Sequence, residues 1–231
     1  MRTVAVVFFS GFAPLDTYGP IQAFNLSFGV TAGKPSVPDM NDPKYRVISV
    51  GLKQTSYSCG PHGMGPATQA MYTFGDLPEV DILLIPGGAG TRRGVHDCDL
   101  IDGIRRVGER TPIVASVCTG AALLAKTGLL DGKSATTNKT AWKWVIEQGP
   151  NVHWTCPPRW VDCVDAKSQR GHITSGGVSA GTDMALGLIQ KLDGEQVVRN
   201  TTVLMEYDWT ADPASDHFRY LCPDNCSEFP H

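Results

Sequence analysis

Residues 112–120, Pro112-Ile-Val-Ala-Ser-Val-Cys-Thr-Gly120, decide the fold. A short apolar run that ends abruptly at Cys118 reads as a buried strand. Gly120-Ala-Ala-Leu-Leu-Ala-Lys126, built of small residues and strong helix formers, reads as the helix after it. Together they predict a strand–nucleophile–helix elbow, with Cys118 projected at the carboxyl end of the strand beside the free N–H groups of the helix start. A thiol in the positive field of a helix terminus is expected to favour the thiolate. The plainer reading, a small buried core cysteine, stays open on the same residues.

Outward from the elbow, strands and helices alternate. Residues 4–9 are apolar throughout, as a strand covered on both faces is, Tyr45–Val50 reads as a second strand, and Asp81-Ile-Leu-Leu-Ile85 as the next buried one. Helices are expected from Asp16 to about residue 28 and over 100–109, 142–148, 182–192 and 195–207. Residues 159–165 and 171–174 read as a hairpin, and 67–73 as a short strand. Gly29 to Pro43 reads as a loop or insertion, and Ser56 to Pro66 as irregular surface chain. This order predicts one α/β domain, a flavodoxin-like sandwich with a mostly parallel sheet, over residues 1–208. An irregular tail over 209–231 is expected to pack on or near it.

In such a sheet, sites form outside the carboxyl ends of the strands. Four segments of this chain end there in glycine or small polar residues: Ser10-Gly11 leading to Asp16, Pro86-Gly87-Gly88, Cys118-Thr119-Gly120 and Ser175-Gly176-Gly177. The Gly88 and Thr119 amides are candidates for an oxyanion hole beside Cys118, although Gly87-Gly88 alone is equally a tight turn. No histidine stands at an evident strand end, so Asp16 is the leading acid–base partner of Cys118. Its alternative is a first-turn helix acid. Arg93 stands where a dinucleotide fingerprint needs its third glycine, and the chain holds neither a phosphate loop nor a G-x-S-x-G serine elbow.

A net charge of −3 gives no basic footprint for nucleic acid. The apolar run at residues 4–9 is too short for a signal-peptide core, and nothing approaches a membrane span, so the expected location is cytoplasmic. Seven cysteines, at 59, 98, 118, 156, 163, 222 and 226, lack a zinc-type pair and are expected to be free thiols there. Cys222 and Cys226, with His217 and His231, are too irregularly spaced to read as a metal site.

The chain resembles the ThiJ/PfpI superfamily, and within it the isocyanide hydratase branch. The resemblance rests on Leu15-Asp16-Thr-Tyr-Gly19-Pro20, Leu84-Ile85-Pro86-Gly87-Gly88, Ser116-Val-Cys118-Thr119-Gly120, Gly128-Leu-Leu-Asp-Gly132, Ala135-Thr136-Thr137, Thr174 to Gly181 and Leu204-Met-Glu206-Tyr207. It implies Cys118 as nucleophile, Asp16 as the acid against its sulfur, no metal or organic cofactor, and hydration of an isocyanide to an N-substituted formamide. It further implies a pocket including Gly87, Asn138, Trp142, Gly177 and Val178, and a homodimer, to which Met64, Met71, Tyr72 and Phe74 would offer apolar surface. The partner expected at the site is a small-molecule electrophile. The chain departs from the relatives at Asn138, where histidine is common, in the segments 29–43 and 54–66, and after Asp212. Glyoxalase-like or other small-electrophile chemistry, and a redox- or ligand-sensing role, are the alternatives.

Overall fold

A computed structural model describes residues 1–223 of the 231. The chain opens with β1 (Arg2–Val7), whose Val4–Val7 are fully buried, and turns into α1 (Pro14–Asn25). Pro14 stands at the helix start, where a missing N–H costs nothing. A hairpin of β2 (Phe28–Thr31) and β3 (Lys34–Pro43) precedes β4 (Tyr45–Gly51). A smaller hairpin, β5 (Ser56–Ser58) and β6 (Ala67–Gln69), precedes β7 (Tyr72–Thr73) and the wholly buried β8 (Ile82–Ile85). Then come α2 (Thr91–Gly94), α3 (Cys98–Arg110), β9 (Ile113–Val117) and α4 (Gly120–Lys126). β10 (Ser134–Ala135), α5 (Trp142–Ile146), β11 (His153–Trp154), β12 (Trp160–Asp162) and β13 (Gly171–Ser175) follow. α6 (Ala180–Asp193) and α7 (Glu195–Met205) close the regular chain.

The central sheet runs β12-β13-β9-β8-β1-β4-β7, with β12 antiparallel to its neighbour and the other pairs parallel. Its five main parallel strands, renumbered in chain order, stand 2-1-3-4-5, the flavodoxin-like order. α1, α6 and α7 pack together over one face, while α2, α3, α4 and α5 cover the other. α3 shows why: Leu100, Ile101, Ile104 and Val107 repeat at helical spacing and are buried, and the Asp97 carboxylate caps its start by accepting from the Leu100 N–H at 3.1 Å. The chain order reverses direction between β1 and β8, so the loops after those strands flank a crevice, and the β9 elbow adjoins it. No helix among the described residues is long and apolar enough to cross a membrane.

Three expectations are corrected. Residues 29–43 form a hairpin instead of a loop. Its second strand tolerates Pro35, Pro38 and Pro43 because it pairs with β2 alone, through a ladder whose register shifts twice. Residues 56–66 are partly regular, since β5 and β6 pair and Cys59 bridges to Phe12. The hairpin is pinned to the loop after β1 by Gly60 N–H to Phe12 O at 2.9 Å and Gly11 N–H to Ser58 O at 2.8 Å. Cys156 and Cys222 form a disulfide instead of two free thiols, tying the tail to the chain between β11 and β12. Cys226 and His231 lie outside the described residues. Of the apolar residues offered for a dimer surface, Phe74 is buried against Gly103 of α3 and Tyr72 is half-buried, while Met64 and Met71 are exposed.

Candidate active site

Cys118 has the left-handed backbone of a nucleophile elbow, with φ of 57°. A side chain there is strained by about 1–2 kcal/mol, so the surroundings must hold it. They do: its N–H reaches the carbonyls of Ser175 at 3.2 Å and Gly176 at 3.1 Å, and its own carbonyl accepts from the Thr137 hydroxyl at 2.7 Å. The end of β13 and the segment after β10 therefore fix the direction in which the sulfur points.

Asp16 lies in the first turn of α1 but does not cap it. Its Oδ2 accepts from the N–H of Gly87, across the crevice at 3.0 Å, and its carboxyl is hydrogen-bonded by the Cys118 thiol. Oδ1 has no oxygen or nitrogen partner, and the residue has no exposed surface. Burial pushes the carboxyl up to about 7, against the weaker pull of the thiol and of Gly87. Burial and then the Asp16 charge push the Cys118 thiol up to about 12. The Thr119 N–H and the Asn138 amide oppose this and lose. The expectation of a thiolate fixed by the helix terminus is thus overturned: desolvation exceeds the field of two donors.

The amide of Asn138 is oriented by its own turn. Its Oδ1 accepts from the Thr140 hydroxyl at 2.6 Å and from the Ala141 N–H at 2.9 Å, which leaves Nδ2 to face the sulfur. Gly177 closes the far side. A Cβ there would stand 2.1 Å from Asn138 Nδ2 and 3.0 Å from Cys118 Sγ, so the position admits no side chain. Gly87 is equally crowded, since a Cβ would meet the Thr119 N at 2.6 Å and Asp16 Oδ2 at 2.7 Å.

Gly88 departs from its expected role. Its N–H donates to the Thr119 hydroxyl at 3.0 Å, and that hydroxyl also lies 3.1 Å from Thr91 Oγ1. The donors at the sulfur are therefore the Thr119 N–H and Asn138 Nδ2, with Gly88 in a supporting turn. Trp142 is not at the pocket either. It is buried edge-on against Trp154, with ring centroids 6.4 Å apart. A cleft of about 380 Å³ is lined by Asn138, Gly177 and Val178, as expected. It also takes Leu15, Lys139, Thr140, Ser179, Phe218 and Leu221. The segments 29–43 and 54–66 do not reach it, whereas the tail does.

The tail's place depends on buried charges. Lys139 Nζ pairs with Asp216 at 2.9 Å, both side chains only 3% exposed. Arg159 binds Asp183 through Nε at 2.6 Å and lies 3.7 Å from Asp216, and its N–H reaches the Pro213 carbonyl at 2.7 Å. None of these ions was legible as a site residue. The available signal was Asp183 inside the apolar face of a buried helix, which requires a partner. Among the described residues no group of three or more histidine, cysteine or acidic side chains is placed to hold a metal.

Similarity to known proteins agrees with this arrangement. Over 136 residues the chain is 35% identical to an isonitrile hydratase of Pseudomonas putida, a match covering 58% of this chain and 55% of that protein. It is 29% identical to the HTH-type transcriptional regulator GbdR of Pseudomonas aeruginosa over 58% of this chain and 34% of the regulator. The match thus spans about half the length of the first relative and a third of the second. A ThiJ/PfpI family protein from Pseudomonas syringae superposes with a TM-score of 0.73 at 24% identity, over 90% of this chain and 75% of that one. DJ-1beta of Drosophila melanogaster gives 0.69 at 16%, over 90% and 99%. These two superpositions carry the fold alone. The pattern of the DJ-1/PfpI family matches residues 2–191, from β1 into α6 with Asp16, Gly87 and Cys118 inside it, and the chain belongs to that family.

Proposed function

We propose that this protein hydrates an isocyanide to an N-substituted formamide, with Cys118 as nucleophile and Asp16 as the group that carries the proton. The observation that supports the reading is the buried pair itself, a thiol pushed up to about 12 beside a carboxyl at about 7. Between those values the pair holds one proton. Asp16 takes it from the thiol as Sγ bonds to the terminal isocyanide carbon, then delivers it to that same carbon. The product of this half is a thioimidate, R–N=CH–S–Cys118. Water then adds to the carbon and one of its protons goes to nitrogen. The C–S bond breaks and the sulfur leaves with the remaining proton. The sum is R–NC plus water giving R–NH–CHO, with no change of oxidation state overall and the thiol restored.

An isocyanide suits these groups because its first intermediate is not an oxyanion. Acyl and carbonyl substrates need donors aimed at a developing oxygen, and of the two amides expected to form that hole the Gly88 N–H is already used by Thr119, while the Thr119 N–H is directed at the sulfur. The test is direct. Purified protein is incubated with cyclohexyl isocyanide and the formamide is followed by mass spectrometry. Cys118→Ala should abolish conversion, and Asp16→Asn should cost roughly a hundredfold or more. Conversion undiminished in Cys118→Ala refutes the mechanism. Turnover of methylglyoxal without turnover of isocyanide would favour the glyoxalase-like reading, and binding without turnover of either would favour a sensor.

A further inference from the structure

We propose that the C-terminal strap, residues 212–222, completes the active site as an apolar subsite that selects substrates by the size of their nitrogen substituent. The inference rests on the isocyanide reading for the identity of the substrate, not for the existence of the subsite. The family pattern ends at residue 191, so the strap lies beyond the part of the fold that the pattern describes. Phe218 and Leu221 lie on it and line the cleft that Asn138 and Gly177 share, together with Leu15 and Val178. These four side chains are 40–49% exposed, which leaves apolar area facing the cleft that a bound group would cover. The same cleft is lined by Asn138, whose amide is hydrogen-bonded to the sulfur, and by Gly177, where an added Cβ would stand 3.0 Å from it, so the cleft adjoins the reacting atom through these two residues.

The strap is fastened at several points. The Cys156–Cys222 disulfide ties its end, Asp216 pairs with Lys139 and faces Arg159, and the Pro213 carbonyl accepts from the Arg159 N–H. Lys139 directly follows Asn138 in sequence, so the same ion pair that seats the strap also braces the turn that aims the Asn138 amide. The cleft's cation is thereby neutralised, and apart from the Asn138 amide its remaining walls are apolar or hydroxyl-bearing. The substituent that fits is a neutral cyclohexyl- or phenyl-sized hydrocarbon group.

The experiment pairs two readouts on the full chain, Phe218→Ala and Leu221→Ala. In the first, Cys118 is modified with iodoacetamide or with 2-iodo-N-phenylacetamide at about pH 8. Rates at this cysteine are taken by peptide mapping and normalised to those of free N-acetylcysteine. Wild type should prefer the phenyl reagent, and each variant should lose about tenfold of that preference with the iodoacetamide rate unchanged. In the second, kcat/KM is compared for cyclohexyl and methyl isocyanide, and only the cyclohexyl value should fall. Loss of the phenyl preference with no isocyanide converted by any form would keep the subsite and refute hydration. Conversion of both isocyanides with neither discrimination altered in the variants would keep hydration and overturn the subsite. Both Phe218 and Leu221 are substantially exposed, so their truncation leaves the core intact.

Discussion

Replacing Asp16 with asparagine should stabilise the fold at neutral and alkaline pH and leave it nearly unchanged in acid. Burial raises this carboxyl from 3.8 to about 7 in the folded protein. Between those values the folded chain keeps a proton that the unfolded chain releases, so stability falls as pH rises from about 4 to about 7 and is level above. A shift of about three pKa units corresponds to roughly 4 kcal/mol of destabilisation, fully present at pH 8 and absent at pH 4. Asparagine keeps the geometry: its amide oxygen can accept from the Gly87 N–H, and its NH₂ can face the Cys118 sulfur. The variant should therefore melt roughly 10 °C above wild type at pH 8 for a chain of this size, with the gap closing toward pH 4. Removing the charge also removes the second-largest cause of the raised Cys118 thiol, so alkylation of Cys118 should quicken while proton transfer to substrate is lost. Circular dichroism melts of both proteins across pH 4–8 read the difference. A melting temperature for Asp16→Asn equal to or below that of wild type at pH 8, or a gap independent of pH, would refute a buried carboxylate under desolvation stress.

Three further outcomes are expected. The kcat/KM for isocyanide should rise tenfold per pH unit below about 7 and level off above it, because the doubly protonated pair cannot attack; a flat profile from pH 5 to 8 would contradict the one-proton pair. Gly177→Ala should cost about a hundredfold in activity, since its Cβ would sit 2.1 Å from Asn138 Nδ2, with circular dichroism unchanged and the thiol shifted further up by the lost amide donor. Asp216→Ala removes the carboxylate partner of the buried Lys139, while Arg159 keeps Asp183, and should cost about 3–5 kcal/mol in urea unfolding. A loss under about 1 kcal/mol would mean that the network is solvated.

The sheet was legible because its strands are buried on both faces, which writes them as apolar runs at Val4–Val7 and Ile82–Ile85 and, broken only by Ser116, at Ile113–Val117. The two hairpins were not. β3 carries three prolines and little apolar sequence, since it is a mostly exposed strand whose pairing is decided by β2 and by α7, with Asn200 Nδ2 bonded to the Pro35 carbonyl at 3.2 Å. β5 and β6 are three residues each and have no period of their own, so their order comes from Phe12 and Cys59 meeting across the crevice. The disulfide joins residues 66 positions apart, a proximity that only the folded tail creates.

At the site, the proximity of Cys118 and Asp16 was legible in the sequence and their electrostatics were not. A cysteine at a strand end and an acid after the first strand are local facts, and both are where the topology brings the crevice together. The sign of the Cys118 shift is not local. It depends on how much water the glycines exclude, and Gly87 and Gly177, read from sequence as places of close approach, are the positions that seal the pair. Sealing raises thiol and carboxyl together, so neither group ionises cheaply and the proton between them becomes the transferable quantity. The same logic explains Gly88. Its amide looked free because a histidine-less elbow leaves position 119 unassigned, yet the threonine there needs an N–H for its hydroxyl and takes this one. Thr91 completes that hydroxyl's surroundings and is wholly buried, placed by a glycine-rich turn whose sequence signals a bend without signalling a purpose. The residues that sequence missed are thus those whose roles come from filling another group's hydrogen-bond demand, a requirement that exists only once the demanding group has been placed.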